Sequence, residues 1–248
     1  MSGYNVLKFN VVPSTMDLAK TYAAQGYPEW TVILAMEQTG GRGRYGRSWF
    51  SPRGGLWFSV ILRPKFEVYY VSLIGFATAV AVVEAIRDLT QVEAFLKWPN
   101  DVLVNDKKVA GILVEATLLA DKIEFVVVGV GVNTNISLEE APKDLRDRIC
   151  SLKEITGREV QNGEMMKTIL SKLSSLYPHI PERAHVIVNK WKKYSSTIGS
   201  LIRAKVRGRE IYGRAIDIDP LGRLLIKTGE GAVIRVDVGE VIHLREIS

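Results

Sequence analysis

The residues best equipped for chemistry lie between Gln38 and Ser59. Gly40, Gly41, Gly43 and Gly46 put four glycines into seven residues, interleaved with Arg42, Arg44 and Arg47. Glycine lets the backbone take positive φ and approach a ligand closely, and guanidinium forks match phosphate or carboxylate oxygens. The stretch therefore reads as a flexible anion-binding loop. Two familiar loops nearly fit it. Gly41-x-Gly43-x-x-Gly46 has the dinucleotide spacing, and Gly41 to Ser48 would be a Walker A loop if Arg47 were lysine. Both require a helix immediately afterwards, which Ser51-Pro52-Arg53-Gly54-Gly55 forbids. Trp49, Phe50, Leu56, Trp57 and Phe58 then tie the far end of the loop into the core.

Four further clusters accompany the loop. Ser14 and Thr15 precede a helical stretch; Lys97-Trp98-Pro99-Asn100-Asp101 ends a short strand; Lys108 stands before apolar Val109 to Leu113; and Gly129-Val130-Gly131-Val132-Asn133 closes another strand. Each has a plain structural explanation: a helix cap, a turn, a solvated hairpin lysine, a close backbone approach. Together they set three arginines, a lysine, two amides and a carboxylate at loop–strand junctions of one sheet. That set suits a polyanion beside an apolar pocket, for which Trp30, Trp49, Trp57 and Trp98 are the expected lining. ATP-dependent activation of a carboxylate needs such parts: cations to offset repulsion between two anions, and a cover that keeps water from an acyl-adenylate. An RNA-binding module using the basic loop is the alternative from another class, and a steep salt dependence of nucleic-acid binding would mark it.

The elements that must position these groups follow from periodicity. Val6 to Val12 alternates as a strand, Met16 to Gln25 is a helix stopped by Gly26, and Trp30 to Glu37 and Leu56 to Leu62 are strands joined by the loop. Val71 to Leu89 is a buried helix. Val102 to Val104, Lys107 to Leu119 and Lys122 to Val132 form a meander with turns at Asn105-Asp106 and Ala120-Asp121. Helices are expected over Pro142 to Leu152, Asn162 to Leu176 and Pro181 to Tyr194. Beyond a boundary near Ser195 to Gly199, short strands over Leu201 to Arg207, Glu210 to Ile218, Leu224 to Lys227, Val233 to Val236 and Val241 to Leu244 suggest a small barrel. The expected domains are thus 1–195 and 196–248.

At 248 residues and 47% apolar the chain can bury a full core. Its 33 Lys and Arg against 27 Asp and Glu leave +6, enough to favour anionic ligands but short of a nucleic-acid coat. Cys150 is the sole cysteine, which excludes an intrachain disulfide and fits a reducing cytoplasm. His179, His185 and His243 have no metal-ligand spacing, so no protein-held metal is expected. Val68 to Val83 is shorter than a membrane span, and Met1 to Asn10 lacks signal-peptide architecture, so a soluble protein is expected.

Five motifs in order resemble the biotin–protein ligases: Gly-Arg-Gly-Arg-x-Gly-Arg-x-Trp, then Ser-Pro and Gly-Leu-x-Phe-Ser, Lys-Trp-Pro-Asn-Asp, Lys-x-Ala-Gly-Ile-Leu-x-Glu and Gly-x-Gly-x-Asn. The resemblance implies an α+β fold with a mixed, mainly antiparallel sheet like that of class II aminoacyl-tRNA synthetases, plus an SH3-like barrel. It implies a two-step reaction. The carboxylate of biotin attacks the α-phosphate of ATP to give biotinyl-5′-adenylate, and a lysine of a biotin carboxyl carrier protein then takes the biotinyl group. By motif, Ser14, Thr15, Gln38, Arg42, Gly43, Arg44, Trp49, Lys108 and Gly111 would form the biotin site. Arg44, Arg47, Trp49, Asn100, Asp101, Lys108 and Asn133 would hold ATP, with Lys108, Arg42 and Arg44 as the catalytic cations. Asp101 would orient Lys97 or assist Mg²⁺. A homodimer is expected, and no operator DNA, because only thirteen residues precede Ser14. Met16 stands where the family would have Asn, and Tyr45 where it often has a basic residue. A lipoate or octanoate ligase shares this logic and is the nearest alternative.

Overall fold

The computed structural model describes residues 4–206, 208–237 and 239–244. Strand β1 (Asn5–Val12) runs parallel to β2 (Thr31–Gln38), linked by helix α1 (Thr15–Ala24). The glycine loop turns the chain back into β3 (Leu56–Leu62), antiparallel to β2. After helix α2 (Val71–Thr90) come β4 (Phe95–Lys97), β5 (Asp101–Val104), β6 (Lys107–Leu119) and β7 (Lys122–Val132). The order β1-β2-β3-β7-β6-β5-β4 gives one seven-stranded sheet, parallel only between β1 and β2.

Alternation explains how one sheet serves two layers. On β3, Leu56, Phe58, Val60 and Leu62 face the cluster that contains α2, whereas Ile61 faces the cluster under α1. On β7, Val126, Val128, Val130 and Val132 take the α2 side, and Phe125 and Val127 the α1 side. Helix α2 is long and apolar enough to cross a membrane by length and composition, together with the turn before it (Val68–Thr90), yet 67% of its apolar 18-residue window is buried inside the protein. It is the core helix that the sequence suggests.

The meander has the expected bounds. Its turns use positive φ at Asn105 (51°), Asp106 (60°), Ala120 (48°) and Asp121 (64°), the geometry that two-residue hairpins prefer. One expected helix is broken. Between Pro142 and Leu152 only α3 (Lys143–Arg146) is helical, and the next helix, α4 (Leu152–Thr156), begins where the expected one ends. The intervening backbone lies along the start of β6 instead, with the Lys108 amide donating to Arg148 O (2.8 Å) and the Cys150 amide to Lys108 O (3.0 Å). Bridge hydrogen bonds to the start of β6, where β7 has ended, replace the helical ones. Helix α5 (Asn162–Leu176) matches its expected bounds, and α6 (Ala184–Tyr194) starts three residues late, after a turn at Pro181.

Strands β8 (Leu201–Val206), β9 (Arg209–Ile218), β10 (Leu224–Lys227), β11 (Val233–Val236) and β12 (Glu240–His243) form the SH3-like module, antiparallel in the order β11-β10-β9-β8-β12. Arg207, placed at the end of the first of these strands from sequence, lies outside the described residues. The module is docked on the larger one: Ile202, Ala204, Leu224 and Ile226 belong to the same hydrophobic cluster as α2 and the large sheet. The Trp98 indole donates to Gly222 O (3.0 Å), and a Cβ at Gly222 would come within 2.8 Å of the Phe76 ring.

Candidate functional site

The face of the large sheet toward α1 has a bare strip. Gly111 pairs with Gly131 across β6 and β7, Gly129 opposes Ser59 on β3, and no side chain rises from the three glycines. The strip is covered from above. A Cβ at Gly129 would meet Met16 Sδ at 2.6 Å, one at Gly131 would meet Trp49 Nε1 at 2.5 Å, and one at Gly111 the Trp49 ring at 3.0 Å. With contacts that close, any larger residue would push the side chain above it off the floor. The floor therefore has a methionine over one end and an indole over the other.

Beside the Met16 end lies a neutral polar network. Gln38 Oε1 accepts from the Thr15 amide (2.8 Å) and from Thr15 Oγ1 (3.0 Å), and Gln38 Nε2 donates to Ser51 Oγ (2.9 Å). Since the single Thr15 hydroxyl proton goes to Gln38, the 2.8 Å contact with Ser59 Oγ has Ser59 as donor. Ser51 in turn donates to Trp49 O (3.0 Å). One directional relay thus runs Ser59, Thr15, Gln38, Ser51 and ends on the backbone of the loop. Ser14 occupies the N-cap position of α1 in extended backbone but makes no side-chain cap bond, and Thr15 faces the relay.

At the Trp49 end the groups are cationic. Lys108 Nζ lies 2.7 Å from Asp101 Oδ1 and 4.8 Å from the centre of the Trp49 ring, a cation–π contact. The Asn133 amide donates to Lys108 O (3.3 Å) and its backbone N–H to Val109 O (2.8 Å), which fixes the strand that carries the lysine. Asn100 donates to Ile112 O (2.8 Å) and offers its own oxygen to Arg44 at a long 3.5 Å. Arg44 also reaches Gly239 O (3.2 Å), while Arg47 pairs with Glu240, so the loop tip touches the C-terminal module. Burial holds the Arg44 guanidinium below its ordinary value, and burial, with Lys108 nearby, does the same to Lys97.

The loop itself is a miniature hairpin. Arg42 bridges Ser48, the Trp49 amide donates to Gly41 O (2.8 Å) and the Gly43 amide to Arg47 O (2.7 Å). Tyr45 (φ 59°) and Gly46 (φ 71°) form the bend. Gly41 is required for packing, since a Cβ there would lie 2.5 Å from Ser51 Oγ.

The structure brings together Thr15, Gln38, Gly111, Trp49, Lys108, Asp101, Asn100, Arg44 and Asn133, as the sequence suggests. Four expectations change. Of the four tryptophans only Trp49 and Trp57 meet (6.4 Å, edge to face); Trp30 packs between Tyr4 and Tyr177, and Trp98 is buried against the C-terminal module. Trp49 and Phe50 are half-buried, packed against the small cluster of Trp57, Ile136, Ala141 and Ile149 and not in the main core, with Trp49 also covering the glycines. The Asp101 carboxylate pairs with Lys108, not Lys97. The Arg42 guanidinium is turned to Asp17 and Glu115, away from the Lys108 cluster. Ser51, Ser59 and Glu115 lie in the sequence motifs without an expected role, and Asp17 lies outside them; a lone serine inside the otherwise apolar Leu56 to Leu62 run was a further sign of Ser59. Among the described residues no group of three His, Cys, Asp or Glu is placed to hold a metal ion. Such an arrangement can cradle an elongated acid with a neutral polar head and direct its carboxylate toward Lys108, where arginines await a second anion.

The Biotin/lipoate A/B protein ligase family matches residues 8–133, and the Biotin protein ligase C terminal domain matches residues 197–244. The Bifunctional ligase/repressor BirA of Bacillus subtilis is 34% identical over 231 residues, 92% of this chain and 71% of that protein. The Biotin–[acetyl-CoA-carboxylase] ligase of Mycobacterium tuberculosis is 32% identical over 235 residues, covering 92% and 85%. Among solved structures, the biotin protein ligase from Aquifex aeolicus in complex with biotin and ATP superposes with a TM-score of 0.82 at 31% identity, covering 98% of this chain and 99% of that one.

Proposed function

The chain belongs to the biotin/lipoate A/B protein ligase family, and from that premise we infer an ATP-dependent biotin–protein ligase. In the first step a carboxylate oxygen of biotin attacks the α-phosphorus of ATP and pyrophosphate leaves. In the second, the amine of an acceptor lysine attacks the acyl carbon of the biotinyl-adenylate, AMP leaves, and the lysine sheds its proton. The observation that carries the reading is the contrast along the glycine floor: a neutral relay at one end, and at the other a lysine held under an indole by a carboxylate.

Role by role, the relay of Thr15 and Gln38, entered beside Ser14, reads the uncharged ureido head of biotin through matched donors and acceptors. Gly111 and Gly131 put no side chain on the floor, so that displacement of the Trp49 indole resting on them admits the ring system and leaves the indole as its cover, and Arg42 with Gly43 forms the shoulder of the loop. Lys108 sits between the two anions. A compact ammonium with three donors can neutralise the carboxylate and the α-phosphate together and follow the charge as it moves to the pyrophosphate side. Asp101 aims that ammonium, Arg44 and Arg47 bring positive charge to the phosphates, and Asn100 and Asn133 hold the strands that frame them. Mg²⁺ comes with the nucleotide. Asp101 is the carboxylate closest to the cations and is already paired, so no protein-held metal site and no step through a metal is assigned.

The acceptor is a biotin carboxyl carrier protein; cytoplasmic residence and a homodimer complete the proposal, with no operator DNA among its partners. Purified protein, given biotin, MgATP and a carrier domain, should add one biotinyl mass to a single lysine and release AMP. Modification with lipoate or octanoate in place of biotin would move the specificity to the other branch of the family.

A further inference from the structure

Arg42 is bound in a way that the reaction does not require. Its two terminal nitrogens face two carboxylates from different elements: Nη2 pairs with Asp17 on α1, and Nη1 lies 3.7 Å from Glu115 Oε1 on β6. Glu115 also pairs with Lys20, one turn further along α1. The four charges balance, and Arg42 and Glu115 are both more than two-thirds buried, where ion pairs are less screened than at an open surface. Arg42 Nε is buried without a hydrogen-bond partner, so the side chain is drawn to this position by its terminal nitrogens alone.

The place of Arg42 in the loop gives these pairs a consequence. It stands opposite Ser48 in the bridge at the base of the hairpin. Beyond it, among the described residues, Gly43 to Arg47 are tied to the rest of the chain through Arg44, which reaches Asn100 at a long 3.5 Å and Gly239 O at 3.2 Å, and through the exposed pair of Arg47 with Glu240. Whatever holds Arg42 holds the base of the cover over Lys108. We propose that Asp17 and Glu115 are positioning residues that clamp Arg42 and thereby stabilise the closed glycine loop. The proposal rests on the ligase reading above for its catalytic consequence, though not for the clamp itself. Because the clamp is made entirely between protein groups, it favours closure whichever anion is bound. It also leaves neutralisation of that anion to Arg44, Arg47 and Lys108.

The test uses the full chain carrying Asp17→Asn, Glu115→Gln and both changes, each close to isosteric. Asp17 is more than half exposed, so its variant tolerates the change even where the one at Glu115 disturbs packing. Two rates are measured: tryptic cutting at the loop arginines in the ligand-free protein, and escape of biotinyl-AMP from preloaded enzyme. The double variant should be cut about tenfold faster and lose adenylate faster by a similar factor, at an unchanged melting temperature and with adenylate formation at saturating substrate within about twofold. Wild-type rates in both assays would overturn the proposal, as would faster cutting that merely tracks a lowered melting temperature. If no adenylate forms even in the unmodified protein, the ligase reading falls while the proteolysis still decides the clamp.

Discussion

The two ends of the glycine floor differ in how finished they are without a ligand. At the Thr15 end the relay from Ser59 to the backbone of Trp49 closes through bonds of 2.8–3.0 Å. At the Lys108 end, cations outnumber their partners. Lys97, Lys108 and Arg44 share the carboxylate of Asp101, with Asp106 a weaker influence on Lys97, and burial pulls Lys97 and Arg44 below their ordinary values. A neutral ligand head must match fixed dipoles, so its site is preorganised. A polyanion is recognised by charge left over, so its site stays electrostatically incomplete until the phosphates arrive.

The largest effect should come from the incomplete end. Lys108→Ala should slow adenylate formation by roughly 10²–10³-fold, the scale of losing one preorganised charge, while thermal melting stays close to wild type. Next, Gly131→Ala attacks the floor that both ends share. Its methyl would fall 2.5 Å from Trp49 Nε1 and evict the indole, lowering kcat/KM by roughly 10-fold to 100-fold with a shift in tryptophan emission. Unchanged emission would mean that Trp49 is not seated on the glycines.

Gln38→Ala breaks the finished end. It strands the Thr15 amide, the Thr15 hydroxyl and Ser51, and at about 1–3 kcal/mol for an orphaned buried group it should raise the KM for biotin by an order of magnitude or more, leaving kcat nearly constant. A fall in kcat with KM unchanged would reverse the assignment of the two ends. Arg47→Ala should do less, a few-fold rise in the KM for ATP that shrinks with added salt, since its side chain is 61% exposed and its tie to Glu240 is a surface pair.

The smallest effect concerns the support beneath the cationic end. Burial, then the charge of Lys97, holds His243 below its ordinary value, and its Nε2 lies 3.1 Å from Thr197 Oγ1 at the junction of the modules. A base whose folded pKa is lowered is protonated more readily in the unfolded chain. Stability should therefore fall as pH drops below about 6.5, and His243→Gln should flatten that part of a melting-temperature profile.

Much of this was legible in the sequence for local reasons. The turns at Asn105-Asp106 and Ala120-Asp121 define the β5–β6 and β6–β7 hairpins, although Gly111 comes opposite Gly131 only through a bulge between Thr117 and Leu118 that no turn residue announces. The four glycines and the Ser-Pro break defined the loop because glycine frees the backbone and proline fixes it, each independently of context. Long-range partner choice was less legible. Nothing near Trp30 or Trp98 in sequence says that they face the opposite end of the sheet and the C-terminal module, and Arg42 finds Asp17 and Glu115 only once α1 and β6 are packed on one face. Pro142 to Leu152 has helical spacing, but the start of β6 offered its backbone better partners.

The central claim is that the neutral end selects biotin and the cationic end activates its carboxylate. ATP–pyrophosphate exchange tests both at once, with purified protein, Mg²⁺ and biotin, lipoate, octanoate or no acid. The account predicts exchange with biotin, none without an acid, and near-complete loss in Lys108→Ala. Exchange with lipoate or octanoate but not biotin would contradict the reading of the neutral end; silence with every acid, from folded protein, would contradict the whole.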